Sequence, residues 1–163
     1  MEAGGRWPGA LLDEQTVVST EPQILLDLDP AAEDIAVLGR GLAEYNRAFV
    51  PSPVRQTFAL FLRDWDGVIL GGIEAQHIWR TLYLHRVWLS PTLRGTGQGR
   101  RLMLALEAEA RARNVGMIWL ETMNWQARGF YEKLGFTAFA ELPHPAPSAG
   151  LSEPVSIFMT KRL

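Results

Sequence analysis

Ser90-Pro91-Thr92-Leu93-Arg94-Gly95-Thr96-Gly97-Gln98-Gly99-Arg100 joins a strand-like segment to the most regular helical pattern in the chain. Alternating glycines let a backbone turn tightly and aim successive N–H groups at one concave face. A helix starting there adds N–H groups with no partner and the positive end of its dipole. Arg94, Arg100 and Arg101 place formal positive charge at this point of a chain whose net charge is −2. The combination suits a pyrophosphate. It is not a dinucleotide fingerprint, because Arg100 stands where GxGxxG needs its last glycine, and no Gly-Lys-Ser/Thr follows to make a P-loop. Read alone, the loop is equally a glycine-rich helix start with solvated arginines. A second segment lies about 30 residues on: Asn124-Trp125-Gln126-Ala127-Arg128-Gly129-Phe130-Tyr131-Glu132-Lys133-Leu134-Gly135-Phe136.

The elements that must hold these segments are legible from their periods. Residues 98–113 carry Leu102, Met103, Leu106 and Ala110 on one helix face, with the pairs Glu107–Arg111 and Glu109–Arg113 assigned to the outer face. Residues 83–89 and 117–123 read as strands on either side. Strand, helix and strand in that order demand a right-handed crossover and a parallel pair. A short helix over 125–134 ends at Gly135. Upstream, 57–63 and 68–79 read as a hairpin around Asp64-Trp65-Asp66-Gly67, with a bulge at Gly71-Gly72 and a turn at Arg80-Thr81 into the next strand. Two further strands are expected over 136–142 and 155–161, separated by a proline-rich loop holding His144. Nearer the N-terminus, 23–28 reads as a first strand and Asp29-Pro30 as a helix start. Gly39 and Gly41 are expected to divide helices over 31–38 and 42–49. Residues 1–18 read as a loosely ordered lead-in, and 19–163 as one domain.

Composition removes whole classes of function. At 163 residues and 47% hydrophobic, the chain is long enough for an ordinary globular core. Zero cysteines exclude a disulfide framework, a thiolate metal site and a cysteine nucleophile. The three histidines show no metal-ligand spacing, so no metal is expected. A slightly acidic balance argues against nucleic-acid and anionic-membrane partners. No apolar run reaches the roughly 18 residues needed to span a bilayer. Met1-Glu2-Ala3-Gly4-Gly5 lacks the features of a signal peptide, so the expectation is a cytoplasmic protein.

Together the two segments resemble the GNAT superfamily of acyl-CoA-dependent N-acetyltransferases. The family's CoA loop, Gln/Arg-x-x-Gly-x-Gly/Ala, is met by Arg94, Gly97 and Gly99. Its second signature is met by Asn124, Ala127, Tyr131, Gly135 and Phe136. The resemblance covers the chain from about residue 23 to its end. It implies an α+β fold: a mixed sheet of six to seven strands, an antiparallel meander with a central parallel pair that splays after a bulge, and about four flanking helices. It also implies acetyl-CoA as co-substrate, lying in the splay. Val87, Trp88 and Leu89 would pair with its pantetheine arm. Arg94 and the N–H groups of Gly95, Thr96, Gly97, Gln98, Gly99 and Arg100 would hold its pyrophosphate. Asn124 would touch the pantetheine or secure the end of the second strand, and Tyr131 would aim its hydroxyl at the CoA sulfur.

The chemistry is direct acetyl transfer to a primary amine, which must be neutral to attack; an alkylammonium has a reference pKa of about 10.4. The leaving thiolate needs a proton, and a tyrosine at hydrogen-bond distance is a competent general acid. Tyr131 read from its residues alone is equally a helix residue packing on the sheet. Strand alternation puts Tyr83, His85 and Val87 on one face, with Gln76 opposite His85 and Glu74 nearby; Trp119, Glu121 and Met123 share a face of the parallel strand. Glu121, Glu74 and His85 are therefore the candidate bases, with Glu121 preferred. His85 is equally a hydrogen-bonded strand histidine. Tyr45, Glu74 and Tyr83 are the acceptor-side candidates, the acceptor being a small-molecule or peptide amine. Pairing into a homodimer is left open. The competing function is an acyl-CoA sensor or interaction module that keeps the fold without turnover.

Overall fold

The computed structural model describes residues 22–51, 55–146, 148 and 151–163. The expected lead-in at 1–18 lies outside them. The chain divides into two compact units, one ending at Ala48 and one running from Phe49 to Leu163.

The first unit contains α1 (Ala32–Asn46). Glu33 and Asp34 in its first turn complement the helix dipole. The two helices expected here are one: α1 runs through Gly39 and Gly41, each costing only about 1 kcal/mol relative to alanine. Residues 23–28 are not a strand. A short apolar run does not by itself distinguish strand from other structure, and a strand needs a partner ladder. The Asp27 carboxylate accepts the Asp29 N–H at 3.0 Å, a local turn that competes with extended pairing. Asp29 and Pro30 precede the helix, whose cap position is Ala31.

The second unit is built on a six-stranded sheet. β1 (Arg55–Arg63), β2 (Ile69–Ile78) and β3 (Thr81–Leu89) form the antiparallel meander. A 3₁₀ turn at Pro91–Leu93 leads to α2 (Gln98–Ala112), which crosses over to β4 (Met117–Met123), parallel to β3. α3 (Arg128–Glu132) follows, then β5 (Thr137–Pro143) and β6 (Val155–Arg162). β6 inserts between β4 and β5, so the spatial order is β1-β2-β3-β4-β6-β5. The fold is thus the expected mixed α+β sheet, with six strands and three α-helices among the described residues. Merging the two glycine-divided helices into α1 accounts for the lower helix count.

The apolar stripe of α2 forms the core as its spacing demands. Leu102, Met103, Leu106 and Ala110 bury against Ile73, Ala75, Leu82, Leu84, Ile118, Leu120 and Met159. Each fully buried large side chain contributes roughly 1.5–3 kcal/mol. Glu107 departs from the expected outer face: it is 3% exposed. Its carboxylate accepts hydrogen bonds from Lys161 Nζ on β6 at 2.5 Å and from Arg111 at 3.3 Å, so burial is compensated by paired charge. Sequence spacing showed the Arg111 partner but not the one brought by β6.

Three local readings shift. The two residues of the β2–β3 turn are Trp79 and Arg80, since Ile78 pairs with Thr81; Gln76 therefore faces Tyr83, not His85. The irregularity near Gly71-Gly72 falls one residue earlier, at Leu70, since Leu62 pairs with Gly71 and Arg63 with Ile69. The glycines serve close approach instead: a Cβ on Gly71 would stand 2.9 Å from Trp88 O, and one on Gly72 2.8 Å from Leu60 O. A second irregularity lies opposite Glu74/Ala75, which pair with Arg86 and Leu84 and leave His85 as the extra residue.

Candidate active site

β3 and β4 share a ladder only from Thr81/Met117 to Leu84/Leu120. Beyond it β3 stays with β2 through Leu89, and β4 stays with β6 through Met123. The bulge at His85 bends β3 away from its parallel neighbour at this point. The backbone edge of β3 at Val87, Trp88 and Leu89 is left without a strand partner on that side. A cavity of about 740 Å³ opens there.

The loop after β3 forms one end of the cavity. Ser90 N–H bonds Leu70 O at 2.8 Å, and Leu93 and Arg94 close the short turn onto Ser90 O and Pro91 O. Arg94 Nε donates to Leu89 O at 3.2 Å, and the Thr96 hydroxyl donates to Leu93 O at 2.8 Å. Gly95 and Gly97 have φ of +74° and +87°, values an L side chain resists. Arg101 N–H is the first to bond back into α2, to Gly97 O at 3.0 Å. The amides before it, from Gly95 to Arg100, precede that ladder. Gly99 answers to packing: a Cβ there would meet Phe130 Cζ at 3.3 Å. Arg94, Arg100 and Arg101 have no ion-pair partner among the described residues. Gly95, Gly97 and Gly99 at the start of α2 and the guanidinium groups of Arg94 and Arg100 line one end of the cavity, which fits the phosphates of CoA.

The far wall comes from the segment after β4. Gln126 Oε1 accepts Met123 N–H at 3.0 Å and the Thr122 hydroxyl at 3.1 Å, fixing the turn that carries the chain across the cavity. α3 then presents Phe130 and Tyr131. Gly135, at φ +87°, ends it, and Phe136 N–H bonds back to Tyr131 O at 3.1 Å. That reversal drives Phe136 into the core at 2% exposure, where its ring meets Tyr131 edge-on at 5.8 Å. The Gly135-Phe136 pair of the sequence signature therefore seats the tyrosine. Burial pushes the Tyr131 phenol up to about 12 from its ordinary 10.0.

Of the residues assigned to acetyl-CoA, Val87, Trp88, Leu89, Arg94, Gly95, Gly97, Gly99, Arg100 and Tyr131 line this one cavity. Thr96 and Gln98 lie on the loop but not on the lining. Asn124 is also off it: its Nδ2 donates to Glu153 O at 3.4 Å, its Oδ1 accepts Val155 N–H at 3.4 Å, and its own N–H bonds Val155 O at 3.0 Å. These bonds tie the end of β4 to the start of β6. Thr122, Trp125, Gln126 and Phe130 also line the cavity and were missed. Three lie inside the Asn124–Phe136 segment, and Thr122 shares the inward face of Ile118 and Leu120, so the signal was present.

Glu121 and His85 are the first residues past the paired stretch, on β4 and β3 respectively. Glu121 alternates with the cavity-lining Thr122 and so belongs to the opposite face, with Trp119. Trp119 stacks on Tyr83 at 4.0 Å, and the Tyr83 ring meets His85 edge-on at 4.5 Å. The expected common face of Tyr83, His85 and Val87 is broken by the bulge. Val87 pairs with the buried Ile73, which puts it on the face of Leu84, while Tyr83 faces the other way. Glu74 is ion-paired with Arg86 on the neighbouring strand. Tyr45 is on α1, in the first unit. Among the described residues no group of three or more His, Cys, Asp or Glu is placed to hold a metal, and no helix is long and apolar enough to cross a membrane.

Residues 31–136 match the sequence profile of the acetyltransferase (GNAT) family. The blasticidin-S acetyltransferase of Streptomyces morookaense is 34% identical over 94 residues, covering 56% of this chain and 68% of that protein. A crystal structure from Agrobacterium tumefaciens, of a protein assigned as an acetyltransferase, superposes with a TM-score of 0.74 at 25% identity, over 87% of this chain and all of that one. A Bacillus anthracis protein assigned as a streptothricin acetyltransferase, solved with acetyl coenzyme A, shares the fold with a TM-score of 0.57 at 24% identity, over 66% of this chain and 63% of that one. The profile match and the splayed, glycine-capped cavity agree: this chain belongs to the GNAT family and is an acyl-CoA-dependent acetyltransferase with acetyl-CoA as its co-substrate.

Proposed function

We propose that residues 19–163 act as one N-acetyltransferase domain that moves acetyl to the primary amine of a small molecule by direct attack in a ternary complex. Tyr131 is its general acid. The observation that carries this reading is the position of Tyr131 on the wall of the cavity that opens where β3 and β4 part. The name of the blasticidin-S relative supports a small-molecule acceptor.

The amine nitrogen bonds to the acetyl carbon, the carbon–sulfur bond breaks, and the sulfur takes a proton. Tyr131 supplies it. With its phenol pushed up to about 12, the side chain stays protonated throughout the neutral range and always has that proton to give. Solvent then restores it through the open cavity. The proton lost by the amine passes to Glu121, directly or through water, with His85 as the other candidate. Both stand at the mouth of the splay, where no ladder separates the two faces of the sheet. Glu74 is engaged by Arg86, which favours a substrate-binding role over that of base.

Tyr131→Phe tests the assignment. The expected result is a fall in kcat of roughly 10²-fold with little change in the Kd for acetyl-CoA by calorimetry. An unchanged kcat removes Tyr131 from the reaction. Glu121→Gln and His85→Asn separate the two bases: the variant that loses the acidic limb of the kcat/KM profile identifies the group.

A further inference from the structure

A second cavity, of about 480 Å³, lies along β1, β2 and β3 and belongs to no part of the acetyl-CoA site except Trp88, which lines both. Gly72 lies on its floor in register with Phe61 on β1 and Trp88 on β3, and the Phe61 ring leans toward it, 3.1 Å from where a Cβ would stand. Ala59 continues that floor beside Glu74. The walls are the rings of Phe61 and Trp88, 54% and 51% exposed. Glu74 and Arg86 are the charged residues of its lining; the rest is apolar except Thr57, and the Arg63 guanidinium stands over the Phe61 ring at 5.0 Å. Glu74 pairs with Arg86 across β2 and β3, one residue from the His85 bulge and level with the point where β3 leaves β4.

From this groove we infer the class of acceptor: an α-amino acid, or an amino-acid-like zwitterion, with an apolar or aromatic side chain. The inference rests on the acetyltransferase reading above and narrows its substrate. An ion pair set side by side is the complement of a zwitterion. The Glu74 carboxylate takes the ammonium, which gives up one proton to water before its neutral nitrogen attacks, and the Arg86 guanidinium takes the carboxylate in its planar fork. The pair is open enough to exchange partners, because the Arg86 side chain is 79% exposed and that of Glu74 33%. A flat apolar side chain then lies against the exposed faces of the Phe61 and Trp88 rings. The charged end is also the reacting end: along β3, Arg86 is next to the splay, while Leu89 leads to the phosphate loop. An amine held by Glu74 is therefore presented where the acetyl group arrives.

The test compares three compounds of the same shape with the full-length protein. L-phenylalanine carries both charges, phenethylamine lacks the carboxylate, and 3-phenylpropionate lacks the amine. CoA release is expected to give a kcat/KM for L-phenylalanine at least about tenfold above that for phenethylamine, with 3-phenylpropionate a competitive inhibitor against L-phenylalanine. Arg86→Gln is expected to cut the L-phenylalanine to phenethylamine ratio at least about tenfold, because the lost fork served only the carboxylate. Equal kcat/KM for the two amines in the wild-type protein overturns the inference without recourse to any variant. So does a ratio that Arg86→Gln leaves unmoved. Turnover of neither amine, with acetyl-CoA still raising Tm, overturns the acceptor class and leaves the acetyltransferase reading standing. Loss of the acetyl-CoA response itself is the separate failure that removes both.

Discussion

Over residues 81–84 and 117–120, β3 and β4 share a ladder, and Leu82, Leu84, Ile118 and Leu120 are 0–3% exposed. A few residues along the same strands, Val87 and Trp88 are 36% and 51% exposed and face a cavity. Both halves carry apolar residues, Leu82, Leu84, Ile118 and Leu120 in one and Val87, Trp88 and Leu89 in the other, and the open half adds the polar residues His85, Arg86, Glu121 and Thr122. The difference is the bulge at His85, which ends parallel pairing while each strand keeps its outer neighbour. The site is therefore made by withholding a ladder, and the side chains around it need not be unusual. Apolar residues in the paired half hold the fold, and similar residues in the open half line a cavity.

The sharpest way to break this division is to truncate one residue in each half. Leu120→Ala removes a side chain that is 1% exposed and leaves a cavity in the core. The expected cost is about 2–5 kcal/mol, a fall in Tm of roughly 10 °C. Acetyl-CoA should still raise the Tm of the protein that remains folded. Val87→Ala should cost less than about 1 kcal/mol, because the residue is already partly in water, yet raise the Kd for acetyl-CoA. Thermal melts with and without ligand check both. Equal losses of stability would mean that the open half is as structural as the closed one.

A comparable effect is expected at Tyr131, which belongs to both regions: its ring is 7% exposed against the core, while its side chain lines the cavity. The phenol is pushed up to about 12 from an ordinary 10.0 by burial. The folded state thus prefers the protonated form. Its contribution is complete below pH 10 and is lost as pH rises from about 10 through about 12, on the order of 3 kcal/mol in all. Urea melts from pH 9 to pH 12 should show stability falling more steeply in the wild-type protein than in Tyr131→Phe. Parallel curves would place the phenol in water.

The two regions also differed in how far the chain announced them. β4 begins and ends at Met117 and Met123 as its pattern suggests, and α2 starts at Gln98, because both present one strong period to the core. The cavity was visible in Arg94, Gly97, Gly99 and Tyr131, residues placed by backbone conformation and helix geometry within two short segments. What could not be read depends on distant partners. The burial of Glu107 comes from Lys161, 54 residues away in sequence. The face of Val87 depends on a bulge whose register is set by β2, and one extra residue reverses the alternation that follows. Arg86 went unremarked because its partner Glu74 lies on another strand. Gly39 and Gly41 looked like helix breakers, yet isolated glycines cost too little to stop a helix whose flanks both propagate.

The smallest expected effects separate two glycines of the phosphate loop that the sequence motif treats alike. Gly97 has open space around it, with nothing within 4 Å of a Cβ, but its φ is +87°. An alanine there is resisted by conformation alone, at about 1–2 kcal/mol. The turn relaxes that strain by swinging its amides, so Gly97→Ala should weaken acetyl-CoA about tenfold while the ligand-free Tm falls by only a few degrees. Gly99 has no such φ, and its Cβ would press on Phe130 Cζ at 3.3 Å, next to Tyr131. Gly99→Ala should therefore displace the ring wall and leave the amides in place. Calorimetry with CoA and with its fragment adenosine 3′,5′-bisphosphate distinguishes the two: on the proposed binding mode, Gly99→Ala should lose affinity for CoA more than for the fragment, because the fragment lacks a pantetheine arm to fill the cavity that Phe130 lines. If the two variants lose affinity for both ligands in the same proportion, the loop acts as one rigid unit, and the separate reasons assigned to its glycines collapse into one.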